Sequence, residues 1–218
     1  GILTPFNVHR SAEVGAALSE AIMKAPAASS VPATELSRII NRYPPQSTTA
    51  AQDRLAELEI SHRDKLTHLE TLLARVSNEE GNAERGKAAF FSGRGACITC
   101  HQVNEDGRDV GPNLSTIGRI REPRDLLESV IFPGASIAGD FEGYLITMKD
   151  GTIHMGVIRT ESDETLQIVA AGGLELSLDR ENVVSLAPAP ASLMPMGLEQ
   201  SLSEQELIDI VTWLDGLE

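Results

Sequence analysis

Both cysteines of the 218-residue chain lie in one pentapeptide, Cys97-Ile98-Thr99-Cys100-His101. Two thiols three residues apart, followed directly by a histidine, form the pattern by which haem c is attached to proteins. Each thiol can add to one vinyl group, because two intervening residues let both sulfurs reach the same porphyrin edge. The histidine then lies under the iron as its proximal ligand. The pentapeptide therefore predicts one covalently bound haem c, with its iron held by His101.

Three other chemistries use a Cys-x-x-Cys pair. A dithiol redox site normally opens a helix in a strand-helix-strand unit, and the glycines and polar residues around this pair predict no such unit. A zinc site needs about four ligands, and the sequence has no second pair of this kind. A disulfide between Cys97 and Cys100 would close a small, strained loop and stabilise the fold little. Haem attachment is the interpretation that uses both cysteines and the histidine.

Five methionines are candidates for the second axial ligand of such an iron. An electron-transfer haem needs a strong ligand on each side, and a thioether raises the reduction potential relative to a second histidine. Met194 and Met196 flank Pro195 in a proline-rich loop, and a stiff loop of this kind can hold a thioether over the iron. The other three methionines lie in predicted helices or strands, where methionine more often fills a core.

Two predicted helices lie on either side of these residues in the sequence. Asn82 can cap a short helix that runs toward Gly93, just before the pentapeptide. Ser203 and Glu206 form a capping box at the start of a later helix. The apolar residues of that later helix recur at helical spacing, and they are Leu207, Ile210, Val211, Trp213, Leu214 and Leu217.

Between these helices the pattern changes to short β-like runs with turn residues between them. Asp-Gly at 150–151 and Gly-Gly at 172–173 tolerate the positive φ of tight turns. Five strands at this spacing predict a small, strongly bent barrel of the SH3-like or Sm-like kind. An inserted barrel whose ends lie close together would explain the long separation of His101 from Met194. The predicted strands are 144–148, 153–158, 165–169, 174–178 and 182–186.

The first eighty residues are predicted to be helical. Residues 11–24, 34–43 and 48–76 carry apolar side chains at helical spacing. Residues 1–6 lack the basic start and apolar run of a secretory leader, so export would need a leader that was removed or lies upstream. The most apolar long stretch, 184–198, contains three prolines. It cannot form the apolar helix of roughly 20 residues that a membrane span requires, so no membrane span is expected.

The charge of the chain argues against nucleic acid as a partner. Eighteen Lys and Arg residues stand against 32 Asp and Glu residues, which gives a formal net charge of −14 at pH 7. A field of this sign repels phosphate backbones and anionic lipid alike. No nucleic-acid partner is expected.

The order of these segments resembles a class I cytochrome c. The pentapeptide is followed by Gly111-Pro112-Asn113-Leu114 and then by four further segments. They are LLESVIFP at 126–133, KDGTIHMGVI at 149–158, SLMPMGL at 192–198 and LSEQELIDIVTWL at 202–214. Together they resemble the haem-binding domain typical of planctomycetes and verrucomicrobia, which carries a β insert.

The resemblance implies roles for individual residues. Cys97, Cys100 and His101 would attach and ligate the haem. Pro112 and Leu114 would also bind the cofactor. Met194 would be the distal iron ligand, with Met196 as the alternative.

The resemblance also implies an architecture. The fold class expected is mainly α with a β insertion (α+β), a class I cytochrome c fold interrupted by the small SH3-like or Sm-like barrel. In that fold Gly86 would let the first and last helices cross closely, and Trp213 would pack at the crossing. The expected domains are a HEAT-like helical region at 1–79, a cytochrome c domain at 80–133 and 188–218, and the inserted barrel at 134–187.

The function expected from these residues is electron transfer rather than enzymatic catalysis. The haem would accept an electron from a dehydrogenase and pass it to a further redox protein, either as a separate carrier or as part of a larger dehydrogenase. Bacteria attach haem c on the exported side of the membrane, so a periplasmic or extracytoplasmic location is expected. One alternative is a haem-based sensor or peroxidase whose distal ligand dissociates. Another is an interaction module that docks a partner on the β insert.

Overall fold

A computed structural model of the chain describes residues 11–24, 33–189 and 191–218. Residues 1–6, considered above for a leader, lie outside the described residues. Helices combine with a five-stranded antiparallel sheet, so the expected α+β class is confirmed. The chain divides between His68 and Leu69 into two compact units. The domain boundaries expected from the sequence stay predictions.

The first unit is built from amphipathic helices. The second helix of the chain ends at Ile40, earlier than expected. The third helix begins at Pro45 rather than at residue 48. A proline is suited to a first helical turn, because its missing N–H would have no partner there. The helices are α1 (Ala12–Lys24), α2 (Ala33–Ile40) and α3 (Pro45–Ser77), which continues past the unit. Their buried side chains are Leu18, Ile22, Leu36, Ile39, Ile40, Tyr43, Ala51 and Leu55.

The second unit has a helical core and a separate sheet core. Its helices are α4 (Ala83–Phe91), α5 (Pro123–Ile131) and α6 (Glu204–Asp215). Leu69 and Leu72, on the last turns of α3, are buried in the same core. The fully buried large side chains include Phe90 on α4, Leu127 on α5 and Ile208 on α6. Among the helices of the described ranges, none is both long and apolar enough to cross a membrane.

The helix caps follow the sequence signals. The side chain of Asn82 accepts a hydrogen bond of 2.9 Å from the backbone N–H of Arg85. The Ser203 and Glu206 side chains form the expected capping box at the start of α6. Helix α4 ends at Phe91 rather than at Gly93, which follows in a left-handed turn with φ of 80°. Both predicted caps are confirmed.

Helices α4 and α6 cross with their backbones in contact. A Cβ atom added to Gly86 would overlap the carbonyl oxygen of Asp209, so only glycine allows this approach. The Phe90 ring packs against Trp213 with a centroid distance of 5.1 Å. The close crossing expected at Gly86 and Trp213 is therefore present.

A buried carboxylate ties the two helices together at this crossing. The Asp209 side chain is 2% exposed and is paired with Arg85, whose Nε lies 2.6 Å away. The backbone N–H of Asn82 and the side-chain amide of Gln205 donate to the same carboxylate at 2.8 and 2.9 Å. Burial acts to raise the pKa of Asp209, but these donors outweigh it and hold the pKa below its usual range.

The strands of the second unit lie close to their predicted positions. The register with neighbouring strands is interrupted after Thr147 in the first strand of the sheet and after Ile158 in the second. Such irregularities bend a strand. The sheet has the order β6-β5-β4-β3-β7 with every neighbouring pair antiparallel. The strands are β3 (Gly143–Met148), β4 (Ile153–Glu161), β5 (Thr165–Ala170), β6 (Leu174–Asp179) and β7 (Val183–Pro188), after the short hairpin β1 (Gln102–Val103) and β2 (Asp106–Gly107).

The turns and ends of the sheet also match the sequence signals. Gly151, Gly172 and Gly173 all adopt positive φ, at 86°, 78° and 81°. Where the sheet is entered and left, the N–H of Ala189 donates to the carbonyl of Gly143 at 2.7 Å. The chain therefore leaves the sheet close to where it enters it, while the expected insert bounds at 134 and 187 stay predictions.

Replacing Asp209 with asparagine is expected to lower the free energy of unfolding by about 2 kcal/mol, because the amide removes a buried charge and turns an N–H toward Arg85. Arg85 is 58% exposed, which keeps the expected loss below that of a fully buried pair. Urea unfolding at neutral pH measures the loss. The exposed Asp215→Asn on the same helix is the control, and equal stability of the two variants would contradict this role.

The same carboxylate should make stability depend on pH in the acid range. Because the folded-state pKa of Asp209 lies below its ordinary value of 3.8, its contribution is complete above that pH. The contribution is then lost as the pH falls through the folded-state pKa. When the free energy of unfolding is measured at decreasing pH, the difference between the wild type and Asp209→Asn should therefore become smaller. A gap that widens with acidification would contradict the assignment.

Candidate functional site

The cysteines and the histidine lie on one tight turn, which begins five residues after the end of α4 at Phe91. Ala96 enters this turn with a left-handed φ of 54°, and Cys97–Thr99 form a 3₁₀ turn. The N–H groups of Cys100 and His101 both donate to the carbonyl of Cys97, at 3.1 and 2.9 Å. Residues three and four apart on a helical turn lie on the same side. Cys97, Cys100 and His101 therefore belong to one hydrogen-bonded backbone turn.

His101 is held in one tautomer by the segment that follows it. Its Nδ1 lies 2.8 Å from the carbonyl oxygen of Pro112. Since a carbonyl oxygen only accepts, Nδ1 carries the proton and Nε2 keeps its lone pair. Burial lowers the pKa of His101, although the bond to Pro112 opposes this shift. A neutral imidazole with a free Nε2 lone pair is the form that binds a metal.

Gly111 lets the backbone lie directly against the imidazole. A Cβ atom at this position would come within 2.7 Å of His101 Cε1 and 3.0 Å of its Nδ1. The N–H groups of Val110 and Gly111 both donate to the carbonyl of Cys100, at 2.9 and 2.7 Å. This segment therefore fixes the backbone and the ring of His101 together.

The two cysteines are free thiols and half-buried. Burial raises the pKa of the Cys97 thiol, with a smaller contribution in the same direction from Cys100. Cys97 also packs against the helical core of the second unit. Across residues 11–24, 33–189 and 191–218, no three His, Cys, Asp or Glu side chains converge on a point where they would hold a metal ion by themselves.

Leu114 is positioned by the hairpin that follows the pentapeptide. Its N–H donates to the carbonyl of Gln102 at 2.8 Å, and its side chain packs on the helical core. Gly107 lies in the second strand of the hairpin, where an added Cβ atom would overlap the carbonyl of His101. Pro112 and Leu114 thus belong to the same local structure as His101.

The two candidate methionines differ in exposure. Met194 is half-buried and its N–H donates to Ser192 Oγ at 3.1 Å. Met196 is 47% exposed. An added Cβ atom at Gly143 would meet the Leu193 side chain at 3.3 Å. The methionine loop is therefore anchored beside the entrance of the sheet.

Two features of this region were not predicted from the sequence. Gly111 belongs to the Gly-Pro-Asn-Leu motif, but its proximity to the imidazole depends on the fold. The buried carboxylate of Asp209 was the second, although an acidic residue between Ile208 and Ile210 interrupts an apolar stretch of the helix. That interruption is a readable signal of a buried carboxylate with dedicated donors.

In comparisons with known proteins, no family model matches the chain and no curated protein matches it.

Replacing Gly111 with alanine is expected to displace the His101 ring, because the new methyl group would lie within van der Waals contact of the imidazole. We expect a loss of about 1–3 kcal/mol in unfolding free energy and a changed chemical shift for the His101 ring protons in NMR spectra. Gly134→Ala is the matched control, since a Cβ atom there meets nothing within 4 Å. Unchanged His101 resonances in Gly111→Ala would contradict the contact.

Proposed function

We propose that the chain is an electron-transfer c-type cytochrome domain that carries one covalently attached haem. The observation that carries the proposal is the His101 imidazole, which keeps Nε2 free through the bond from Nδ1 to Pro112 and lies on the same turn as the two free thiols. This donor set fits a haem c, which needs two sulfurs and one nitrogen at this spacing.

The residues present fit the attachment chemistry. The Cys97 and Cys100 sulfurs would each form a thioether, with the thiol hydrogen passing to the second carbon of the vinyl group. His101 would bind the iron through Nε2, and the Pro112 carbonyl would hold the ring and raise the basicity of that nitrogen. Leu114 would cover the cofactor with an apolar side chain. When bound, haem supplies a one-electron couple at its iron.

Met194 is the proposed distal ligand. It is the less exposed of the two methionines, and a ligand thioether must be shielded from water. The segment that contains it leads to Leu202, whose Cδ1 would lie 3.1 Å from a Cβ atom added at Gly95. Gly95 comes two residues before Cys97. This contact brings the end of the methionine loop close to the start of the pentapeptide, and Met196 remains the alternative.

The fold that we propose is a class I cytochrome c interrupted by a small SH3-like or Sm-like barrel. The crossing of α4 and α6 at Gly86 supports the first part. The last strand of the sheet, β7, pairs with the first strand, β3. A 3₁₀ turn at Arg180–Asn182 leads into β7. A small bent barrel needs such a pairing and needs bends within its strands. The preceding helices would be the end of a HEAT-like array.

An electron carrier needs partners rather than substrates. The proposed partners are a dehydrogenase that donates the electron and a further redox protein that accepts it. No acid or base chemistry by a protein residue is required. Because haem c is attached on the exported side of the bacterial membrane, the proposed location is periplasmic or extracytoplasmic.

Haem should remain with the polypeptide after denaturation in acid acetone, because thioether bonds are covalent. Replacing Cys97 or Cys100 with serine should abolish or strongly reduce holoprotein formation when the chain is expressed with the haem maturation machinery. Absorbance of the denatured polypeptide measures the attached haem. Thr99→Ser, which keeps both thiols and a hydroxyl, is the control and should retain full attachment. Complete extraction of haem from the wild type would overturn the proposal.

Replacing Met194 with alanine should abolish the weak sulfur-to-iron charge-transfer band of the ferric protein. It should also lower the reduction potential and open the ferrous iron to carbon monoxide. Met196→Ala is the matched control and should leave all three properties unchanged. Visible spectra with and without carbon monoxide, together with a redox titration, provide the measurements.

Two other outcomes would change the assignment. If only Met196→Ala loses the band, Met196 is the ligand and the electron-transfer function stands. If neither replacement changes the spectrum and the wild type binds carbon monoxide readily, the iron is open. The sensor or peroxidase alternative would then replace electron transfer.

A further inference from the structure

A cavity of about 750 Å³ lies between the segment before Gly111 and the sheet. One wall is formed by Arg108, Asp109 and Val110, and the other by residues of β4, β5 and β6 with Gly173 between them. Its volume lies in the range of about 300–1,000 Å³ that is usual for cofactor pockets. The cavity therefore has room for part of a large ligand.

This cavity is continuous with the structure that holds His101. Val110, which lines the cavity, donates its N–H to the carbonyl of Cys100 at 2.9 Å. A Cβ atom at Gly173 would lie 3.3 Å from Val110 Cγ2, so the sheet touches the same residue from the other side. The next residue, Gly111, packs on the imidazole. Gly111 is thus the residue that lies between Val110, in the cavity wall, and the His101 ring.

Two arginines supply positive charge in the cavity. Arg159 is 25% exposed and lies over the Phe141 ring, 5.1 Å from its centroid. Its guanidinium donates to the Asp109 carbonyl oxygen. Arg108 donates to the carbonyl of Gly172 at 3.3 Å. These contacts hold both guanidinium groups in place, and a fixed guanidinium fork suits a carboxylate ligand.

Two acidic residues, Asp109 and Glu175, also line the cavity. The Asp109 carboxylate is 67% exposed and lies 3.4 Å from Arg159, so this ion pair is weak. A ligand carboxylate could replace the Asp109 carboxylate at Arg159, because the Asp109 carbonyl would still hold the guanidinium.

We propose that this cavity receives the carboxylate edge of the haem that Cys97 and Cys100 carry, with Arg159 as the main counter-charge and Arg108 as the second. This inference rests on the proposed function. A haem attached through its vinyl edge carries its two carboxylates at the opposite edge, and an unpaired buried carboxylate is costly. Val110, Ile168 and Leu176 offer apolar contacts beside the arginines. The inserted sheet would then be part of the cofactor site.

The test compares full-length holoprotein of the wild type with Arg159→Gln, and uses Arg180→Gln as the matched control. Arg180 is also paired with a glutamate, at 3.0 Å from Glu161, but it does not line the cavity. Removing a positive charge beside the haem should lower the reduction potential. The potential should fall more in Arg159→Gln than in Arg180→Gln, because Arg159 lines the cavity and Arg180 does not.

Infrared difference spectra of protein with isotope-labelled haem carboxylates give a second readout, which a purely structural role would not move. The carboxylate bands should shift in Arg159→Gln and stay unchanged in Arg180→Gln. If Arg159→Gln does not fold, Arg159→Lys and Arg108→Gln decide the question. Arg159→Lys should keep the wild-type potential but shift the bands, and Arg108→Gln should lower the potential and shift the bands relative to the wild type.

The outcomes separate this inference from the proposed function. If haem is attached in every variant but potential and carboxylate bands do not respond to Arg159 or Arg108, the arginines only join the sheet to the neighbouring segment. The carboxylate site is then wrong and the cytochrome function stands. If the wild type attaches no haem, the proposed function fails, and this inference fails with it.

Discussion

The close crossing of α4 and α6 is the constraint on which the second unit depends. Gly86 allows the backbones to touch, and Asp209 collects hydrogen bonds from both sides of the crossing. Burial of each large apolar side chain contributes about 1.5–3 kcal/mol, whereas the ion pair to the 58% exposed Arg85 contributes much less. Hydrophobic packing therefore supplies most of the stability, and the carboxylate fixes which faces of the helices meet.

The candidate site follows from this crossing because its two sides continue from the two helices. The turn with both thiols comes a few residues after α4, and Leu202 comes just before α6. The contact between Leu202 and Gly95 links these two sides. Stability and site geometry are therefore coupled, since a change that separates the helices would also separate the pentapeptide from the methionine loop.

Features that depend on neighbouring residues could be predicted from the sequence. The Asn82 cap, the capping box at Ser203 and the turn at Gly151 each need only a few adjacent side chains or a backbone angle. The helix boundaries near Ile40 and Pro45 were less accurate, because several nearby residues can end or start a helix at similar cost. The donors to Asp209 and the packing of Gly111 on His101 come from distant segments. No local pattern specifies such contacts, so they required the structure.

The position of the sheet has a physical consequence for the site. Its first and last strands meet where Ala189 donates to Gly143, so the chain leaves the sheet close to where it enters it. The bond between Ala189 and Gly143 is not the sheet's only contact with the rest of the unit. Arg159 and Arg108 also join the sheet to the segment that precedes Gly111. That segment also fixes the imidazole. The sheet therefore contacts the segment that holds His101 through residues that take no part in the crossing of α4 and α6.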